Sequence, residues 1–116
     1  MENLERRDSL MLIGICTYKR PAMLSTLLAA SVKLKPPPDQ RLALLIVDNN
    51  PEGTAKAAVE NARLSSPMSV HYCIETQHGI SNARNRVPEE AILLDAGYLA
   101  FIDDDEIMTP DWLTEL

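Results

Sequence analysis

The fold is decided by residues 98–106, which read YLAFIDDDE near the C-terminus. Five consecutive apolar residues, Tyr98 to Ile102, predict a strand that is covered on both faces, as in a parallel sheet. Four carboxylates cannot enter that interior unpaired, because removing a charge from water is costly. We therefore expect the strand to end where the acids begin, and the acids to meet water, a cation or a ligand. The plainer alternative is an acidic turn before the next helix.

The composition describes one globular domain. Of the 116 residues, 46% are hydrophobic and 24% are charged, as in ordinary soluble proteins. A net charge of −6 argues against a nucleic-acid partner, whose site would be basic. Cys16 and Cys73 lie in apolar runs, which indicates core residues in a reducing compartment and not a disulfide or metal pair. Because no apolar run has the length of a signal peptide or a membrane span, we expect a cytoplasmic protein.

Apolar runs of strand length alternate with helical patterns along the chain, after a flexible N-terminus at 1–9. Pro21 suits the first position of the helix that follows the first run. The alternation predicts an α/β fold, a doubly wound, mainly parallel sheet of about four strands with helices on both faces, in one domain over 10–116. The predicted strands are 10–16, 42–47, 70–74 and 98–102.

The helix before the acidic strand carries several end signals. Ser81 is the expected N-cap, and Gly97 the expected residue at the C-terminal cap. Pro88 lies seven residues after Ser81, so it either kinks this helix or starts a new one. A last helix is expected after Thr109, with Trp112 as a packing anchor.

Polar residues follow all four predicted strands. Ligands of open parallel sheets bind beyond the carboxyl ends of the strands, near the point where strand order reverses. The sequence therefore predicts one cleft that is lined by residues far apart along the chain. The four strand ends read TYKR at 17–20, DNN at 48–50, ETQHG at 75–79 and DDD at 103–105.

The residue types at this edge favour a nucleoside diphosphate held by a metal. Carboxylates at a strand tip suit a divalent cation that carries phosphates. Arg84, Asn82 and Arg86, near a helix N-terminus, favour a phosphate or, for the two arginines, are solvated helix charges. Asp48 is placed to accept from a base or a ribose hydroxyl. Residues 17–21 contain no glycine, which weighs against a Rossmann cofactor or a P-loop.

Two aromatic residues at the same edge have open interpretations. Tyr18 either stacks on a ligand or packs at the sheet edge, and His78 is more typical of a loop histidine than of a ligand.

Four segments in register resemble the nucleotide-binding half of family 2 inverting glycosyltransferases, which have the GT-A fold. The segments are ICTYKRP, LLIVDNN, HGISNARN and FIDDDE. They are most similar to bacterial members that build exopolysaccharide, the succinoglycan-type glucosyltransferases. The resemblance extends from Leu12 to Leu113.

The resemblance implies a role for each matching residue. Thr17, Tyr18 and Arg20 would contact the uridine or its equivalent, and Asp48 would hydrogen-bond the base. In the sugar-diphosphate pocket the implied residues are Gly79, Asn82 and Arg84. The acidic motif Asp103, Asp104 and Asp105 would place Asp103 towards the ribose and Asp105 on a Mn²⁺ or Mg²⁺ that bridges the phosphates, with Asp103 as the second candidate ligand.

The resemblance also implies partners. These are a nucleotide-sugar donor, in the first instance a UDP-sugar, and a saccharide or lipid-linked acceptor. Family members continue into an acceptor-binding half, so we expect the general base beyond Leu116 and a longer form that associates peripherally with the cytoplasmic face of the inner membrane. The alternatives are a non-catalytic binding domain that self-associates, and another metal-phosphate enzyme such as a nucleotidyltransferase.

Overall fold

The computed structural model describes residues 9–115, and their side chains as far as Leu113. Strands and helices alternate as the sequence predicts, and β1 begins one residue before its predicted start. None of the described helices has the length and apolar character needed to cross a membrane. The elements are β1 (Ser9–Thr17), α1 (Pro21–Ser31), β2 (Gln40–Asp48), α2 (Lys56–Arg63), β3 (Ser69–Ile74), α3 (Ile80–Leu93), β4 (Tyr98–Phe101) and a 3-10 helix (Trp112–Glu115).

The four strands form one sheet in the order β3-β2-β1-β4, and every pair is parallel. Side chains alternate between the two faces of the sheet. Ile13 and Leu44 face a cluster that includes the apolar residues of α1 and α2, whereas Leu12 and Leu45 face a second cluster that includes those of α3. The predicted doubly wound sheet with helices on both faces is therefore confirmed.

Helix boundaries differ from the prediction around α3. The helix begins at Ile80 with Gly79 as its N-cap residue, so the expected Ser81 cap is wrong. Gly79 has a φ of 127°, a conformation that a Cβ disfavours. One helix continues through Pro88, and the left-handed residue after it is Asp95 (φ 58°) and not Gly97. In contrast, Pro21 occupies the start of α1 as predicted.

The prediction that β4 is covered on both faces is wrong. Tyr98 is 53% exposed and Phe101 is 42% exposed. The strand lies at the edge of the sheet with β1 as its one neighbour, and among residues 9–113 nothing shields these side chains. Ile102, directly after the strand, is buried with Met108 and Leu113. Trp112 packs against the same cluster, which agrees with its predicted role as an anchor.

Gly14 allows α3 to lie close to the sheet. A Cβ built on Gly14 would come within 2.6 Å of Val87 Cγ1 and 3.2 Å of Val87 Cγ2, both on α3. Val87 is fully buried, so it has no open space into which to move. The glycine therefore fixes the height of α3 above β1, and with it the position of the helix N-terminus at the carboxyl edge of the sheet.

We expect Gly14→Ala to lower the free energy of unfolding by about 1–3 kcal/mol, the usual cost of overpacking a dense core. Urea unfolding followed by circular dichroism measures the change. The added Val87→Ala substitution should recover part of the loss, because it removes the two methyl groups that the new Cβ meets. Equal stability of Gly14→Ala and the parent would show that α3 does not approach β1 this closely.

Candidate functional site

A cavity of about 400 Å³ opens at the carboxyl ends of the strands, in the crevice beside β1 and the acids that follow β4. The chain passes from β1 to β2 and β3 in one direction, and β4 then adds to the opposite side of β1. This is the reversal of strand order at which open α/β sheets bind ligands. The lining comes from all four strand ends and α3: Cys16, Thr17, Tyr18, Arg20, Asn49, His78, Gly79, Ile80, Ala83, Arg84, Asp103, Asp104 and Asp105.

The central acid, Asp104, is buried and joins the end of β1 to the acidic segment. Thr17 Oγ1 donates to Asp104 Oδ2 over 2.9 Å. Arg20 Nη1 lies 3.5 Å from Asp104 Oδ1 and 3.8 Å from Asp105 Oδ2. With its carboxylate held from two sides, Asp104 positions the acidic turn, and the carboxylates of its neighbours Asp103 and Asp105 remain about half exposed.

Arg84, the fifth residue of α3, lines the cavity. Its Nη2 donates to Asp103 Oδ1 over 3.1 Å, and both side chains are about half exposed. Such a pair adds little to stability because solvent screens it. A guanidinium held at this place is suited to a phosphate group, since two N–H groups can bind two oxygens at once.

Arg86, two residues later on the same helix, has a structural role. It donates Nε to Glu90 over 3.0 Å, and Nη1 to Glu75 and to the Ile74 carbonyl, each over 3.2 Å. Arg86 therefore ties α3 to the end of β3 and is not among the residues that line the cavity. A backbone hydrogen bond from Gln77 is the main cause that lowers the pKa of Glu75, which keeps this partner charged.

Asp48 is not among the residues that line the cavity. Its side chain is fully buried and accepts from the Ala55 N–H at 2.9 Å, the Asn50 N–H at 3.1 Å and the Tyr72 hydroxyl at 2.7 Å. These contacts hold the turn between β2 and α2. The predicted bond from Asp48 to a base stays a prediction, and in this structure the carboxylate is occupied by the protein's own donors.

Asn49 belongs to the strand end 48–50 of the predicted cleft, where it was given no role of its own, and its side chain lines the cavity. Side chains alternate between the two faces of a strand. Leu44, Ile46 and Asp48 face α1 and α2, so the next residue faces α3. Counting this period from the buried strand would have identified Asn49.

Tyr18 and His78 meet at the mouth of the cavity. Their ring centroids are 5.1 Å apart at 65°, an edge-to-face arrangement. Lys19 Nζ lies 5.3 Å from the centroid of the Tyr18 ring. Asn82 lies beside the cavity and donates Nδ2 to the His78 carbonyl over 3.1 Å. His78 is thus an exposed loop residue, as expected, and its ring contacts Tyr18. The stacking of Tyr18 on a ligand stays a prediction.

The aspartates of the cavity suit a divalent cation that is held by two carboxylates together with substrate phosphates and water. Among the residues whose side chains are described, no three His, Cys, Asp or Glu side chains are grouped to hold a metal ion. Mg²⁺ commonly binds one or two carboxylates and completes its shell with substrate phosphates and water. The half-exposed carboxylates of Asp103 and Asp105 meet that need, whereas Asp104 is already bonded to Thr17.

The two cysteines are half-buried and not fully in the core, and both are free thiols. Burial raises the pKa of each thiol to about 11. Because an unfolded thiol loses its proton near pH ~8.5, the folded state holds more protons between this pH and about 11. The free energy of unfolding should therefore fall as pH rises through that window.

Urea unfolding at neutral pH and near pH ~10 tests this expectation. The variant Cys16→Ala/Cys73→Ala should show a shallower fall. Part of the fall should remain, because burial also raises the pKa of Tyr72 above its usual range. An identical pH dependence in the parent and the variant would contradict the assignment to the thiols.

Comparison with known proteins supports a single family. The family model described as glycosyl transferase family 2 matches residues 12–116. Among curated proteins, the succinoglycan biosynthesis protein ExoM of Rhizobium meliloti (strain 1021) is 38% identical over 104 residues, which are 90% of this chain and 32% of that protein. The chain therefore spans about a third of this relative.

Solved structures agree in fold. A crystal structure of residues 1–349 of S. aureus TarS superposes with a TM-score of 0.64 at 22% identity, over 92% of this chain and 30% of that one. A second TarS structure gives a TM-score of 0.62 at 22% identity and covers 18% of that chain. At this identity the likeness concerns the fold, and it agrees with the predicted fold class.

Proposed function

Because the chain belongs to glycosyl transferase family 2, we propose that its cavity binds a nucleoside-diphosphate sugar, with a UDP-sugar as the first candidate. The observation that carries this proposal is the meeting of Arg20, Arg84 and three aspartates in one cavity at the reversal of strand order. Family membership favours glycosyl transfer over the alternative of nucleotidyl transfer.

The cavity divides into two ends in this proposal. Tyr18 and His78 form an aromatic wall for the base, since nucleobases stack on aromatic rings. Arg84, near the N-terminus of α3, binds the diphosphate. Asp103 and Asp105 hold Mn²⁺ or Mg²⁺, which when bound neutralises charge on the departing diphosphate.

Ion pairs between the side chains of the cavity hold these groups in place. Arg84 is paired with Asp103, and Arg20 with Asp104 and Asp105. Three carboxylates facing two guanidinium groups leave the cavity slightly acidic. A cation and a diphosphate should therefore bind better together than either does alone, because each offsets the charge that the other brings.

The rest of the proposal concerns the whole protein. The likeness to ExoM, a succinoglycan biosynthesis protein, supports an exopolysaccharide pathway with a saccharide or lipid-linked acceptor. We propose that the protein works in the cytoplasm, at the cytoplasmic face of the inner membrane.

Isothermal titration calorimetry with UDP tests the donor site, with and without Mn²⁺. We expect binding that strengthens when Mn²⁺ is present, and weaker binding of uridine because it lacks the diphosphate. If the folded protein bound no UDP at millimolar concentration in the presence of Mn²⁺, the donor-site proposal would be rejected.

The exposed edge of the sheet supports self-association as a second property. Tyr98, Leu99 and Phe101 of β4 are exposed, as are Ile92 and Leu93 at the end of α3. Unpaired apolar edge strands favour pairing with another chain. We expect sedimentation velocity to show association that rises with concentration and falls in Tyr98→Lys, because an edge lysine opposes pairing. A concentration-independent monomer would contradict this expectation.

A further inference from the structure

The side-chain amide of Asn49 holds a segment of the neighbouring strand end. Its Nδ2 donates to the Glu75 carbonyl and to the Gln77 carbonyl, each over 2.9 Å. Its Oδ1 accepts from the Gly79 N–H, also over 2.9 Å. Asn49 is only 5% exposed, and both of its amide protons are used by the segment 75–79.

These three bonds tie the backbone of segment 75–79 to the end of β2. Glu75 N–H donates to the Asp48 carbonyl over 2.9 Å, and this bond ends the pairing of β2 with β3. Beyond that point the hydrogen bonds from β2 to the segment come from the side chain of Asn49. Segment 75–79 is therefore held there by a side chain and not by backbone pairing.

The held segment carries two residues of the cavity wall. Gly79 is the N-cap of α3, and His78 lies with its ring centroid 5.1 Å from that of Tyr18. Both rings are exposed, so neighbouring packing does not fix their arrangement. The backbone that carries the His78 ring is held by Asn49 on either side of His78, at Gln77 and Gly79, and by Asn82 at the His78 carbonyl.

We propose that Asn49 is a positioning residue of the donor site, which fixes segment 75–79 so that His78 braces Tyr18 and the base end of the cavity is formed before the donor arrives. The inference rests on the proposed function, and it adds a task for a residue that need not touch the donor itself. A site formed in advance loses less conformational freedom on binding.

The substitution Asn49→Asp tests the mechanism with almost no change of shape. The new carboxylate still accepts from the Gly79 N–H, but it sets an oxygen against the Glu75 and Gln77 carbonyls in place of the donating Nδ2. Asn49→Ser removes the amide without adding a charge and carries the same expectation. His78→Ala removes the ring that the segment carries, and His71→Ala, at the other histidine of the chain, is the matched control.

We expect Asn49→Asp and His78→Ala each to weaken UDP binding by about threefold to tenfold, the range of one aromatic contact. In Asn49→Ser and His78→Ala, which add no charge, binding of inorganic pyrophosphate should change by less than about twofold, because it lacks the base. Together the two substitutions should cost little more than one, since they act through the same ring. His71→Ala should bind UDP like the parent.

The ring protons of His78 give a readout that needs no ligand. In the NMR spectrum of the free protein they should shift in Asn49→Asp, or in Asn49→Ser, as the ring leaves Tyr18. An unchanged His78 resonance in the folded variants would overturn the inference. The inference would also be overturned if the loss of UDP affinity in Asn49→Asp/His78→Ala equalled the product of the two single losses. Such independence would mean that Asn49 makes a separate contact with the donor. A parent protein that binds no UDP rejects the proposed function, whereas the His78 resonance still tests the positioning role.

Discussion

Replacing Arg84 by glutamine should weaken the binding of UDP by about 10- to 100-fold, because a hydrogen bond to a charged group is worth ~1.5–3 kcal/mol. Arg84 lines the cavity near the N-terminus of α3, where its guanidinium pairs with the half-exposed carboxylate of Asp103. Since that exposed pair contributes little to folding, the unfolding midpoint should scarcely move. Calorimetric titration and urea unfolding of the same preparation measure the two effects.

Arg86→Gln is the matched control, two residues away on the same helix. It removes bonds to Glu75, Glu90 and the Ile74 carbonyl, so it should lower the stability and leave the UDP affinity of the folded protein within about twofold. The opposite pattern, with Arg86→Gln losing affinity and Arg84→Gln keeping it, would refute the assignment of the diphosphate to Arg84.

Asp105→Asn should remove most of the gain in UDP affinity that Mn²⁺ provides. The Asp105 carboxylate is about half exposed in the cavity, and it lies 3.8 Å from Arg20. An amide oxygen is a much weaker ligand for a hard divalent cation than a carboxylate is. Without metal the variant should bind UDP as well as the parent or slightly better, because one negative charge beside the diphosphate is gone.

UDP titrations with and without Mn²⁺ measure these two effects separately. Asp95→Asn serves as the control. Asp95 is exposed and follows α3 with a φ of 58°, a conformation that asparagine adopts readily. Its variant should keep the full effect of Mn²⁺. An undiminished effect of Mn²⁺ in Asp105→Asn would show that Asp105 is not a ligand of the metal.

The strand ends were predictable because simple patterns determine them. Uninterrupted apolar runs predict buried parallel strands, and a run such as Asp103 to Asp105 must lie outside the sheet. The same reasoning brings Thr17, Arg20, Arg84 and the acids to one edge, and all of these residues line the cavity.

Other features depend on contacts that a pattern does not contain. The apolar composition of β4 is that of a covered strand, yet its place at the edge of the sheet leaves Tyr98 exposed. Asp48 and Asn49 are neighbours with similar side chains, and the face of the sheet decides that Asn49 meets the cavity. The contact between His78 and Tyr18 joins two loops 60 positions apart, and no local sequence pattern predicts it.

The central claim is that the carboxyl ends of the strands form one donor site. The most direct test is to add UDP with Mg²⁺ to ¹⁵N-labelled protein and map the amide resonances that change. We expect the changes to cluster at Tyr18, Asn49, His78 to Arg84 and Asp103 to Asp105. Changes confined to the opposite edge of the sheet, around Leu42 and Met68, would contradict the claim.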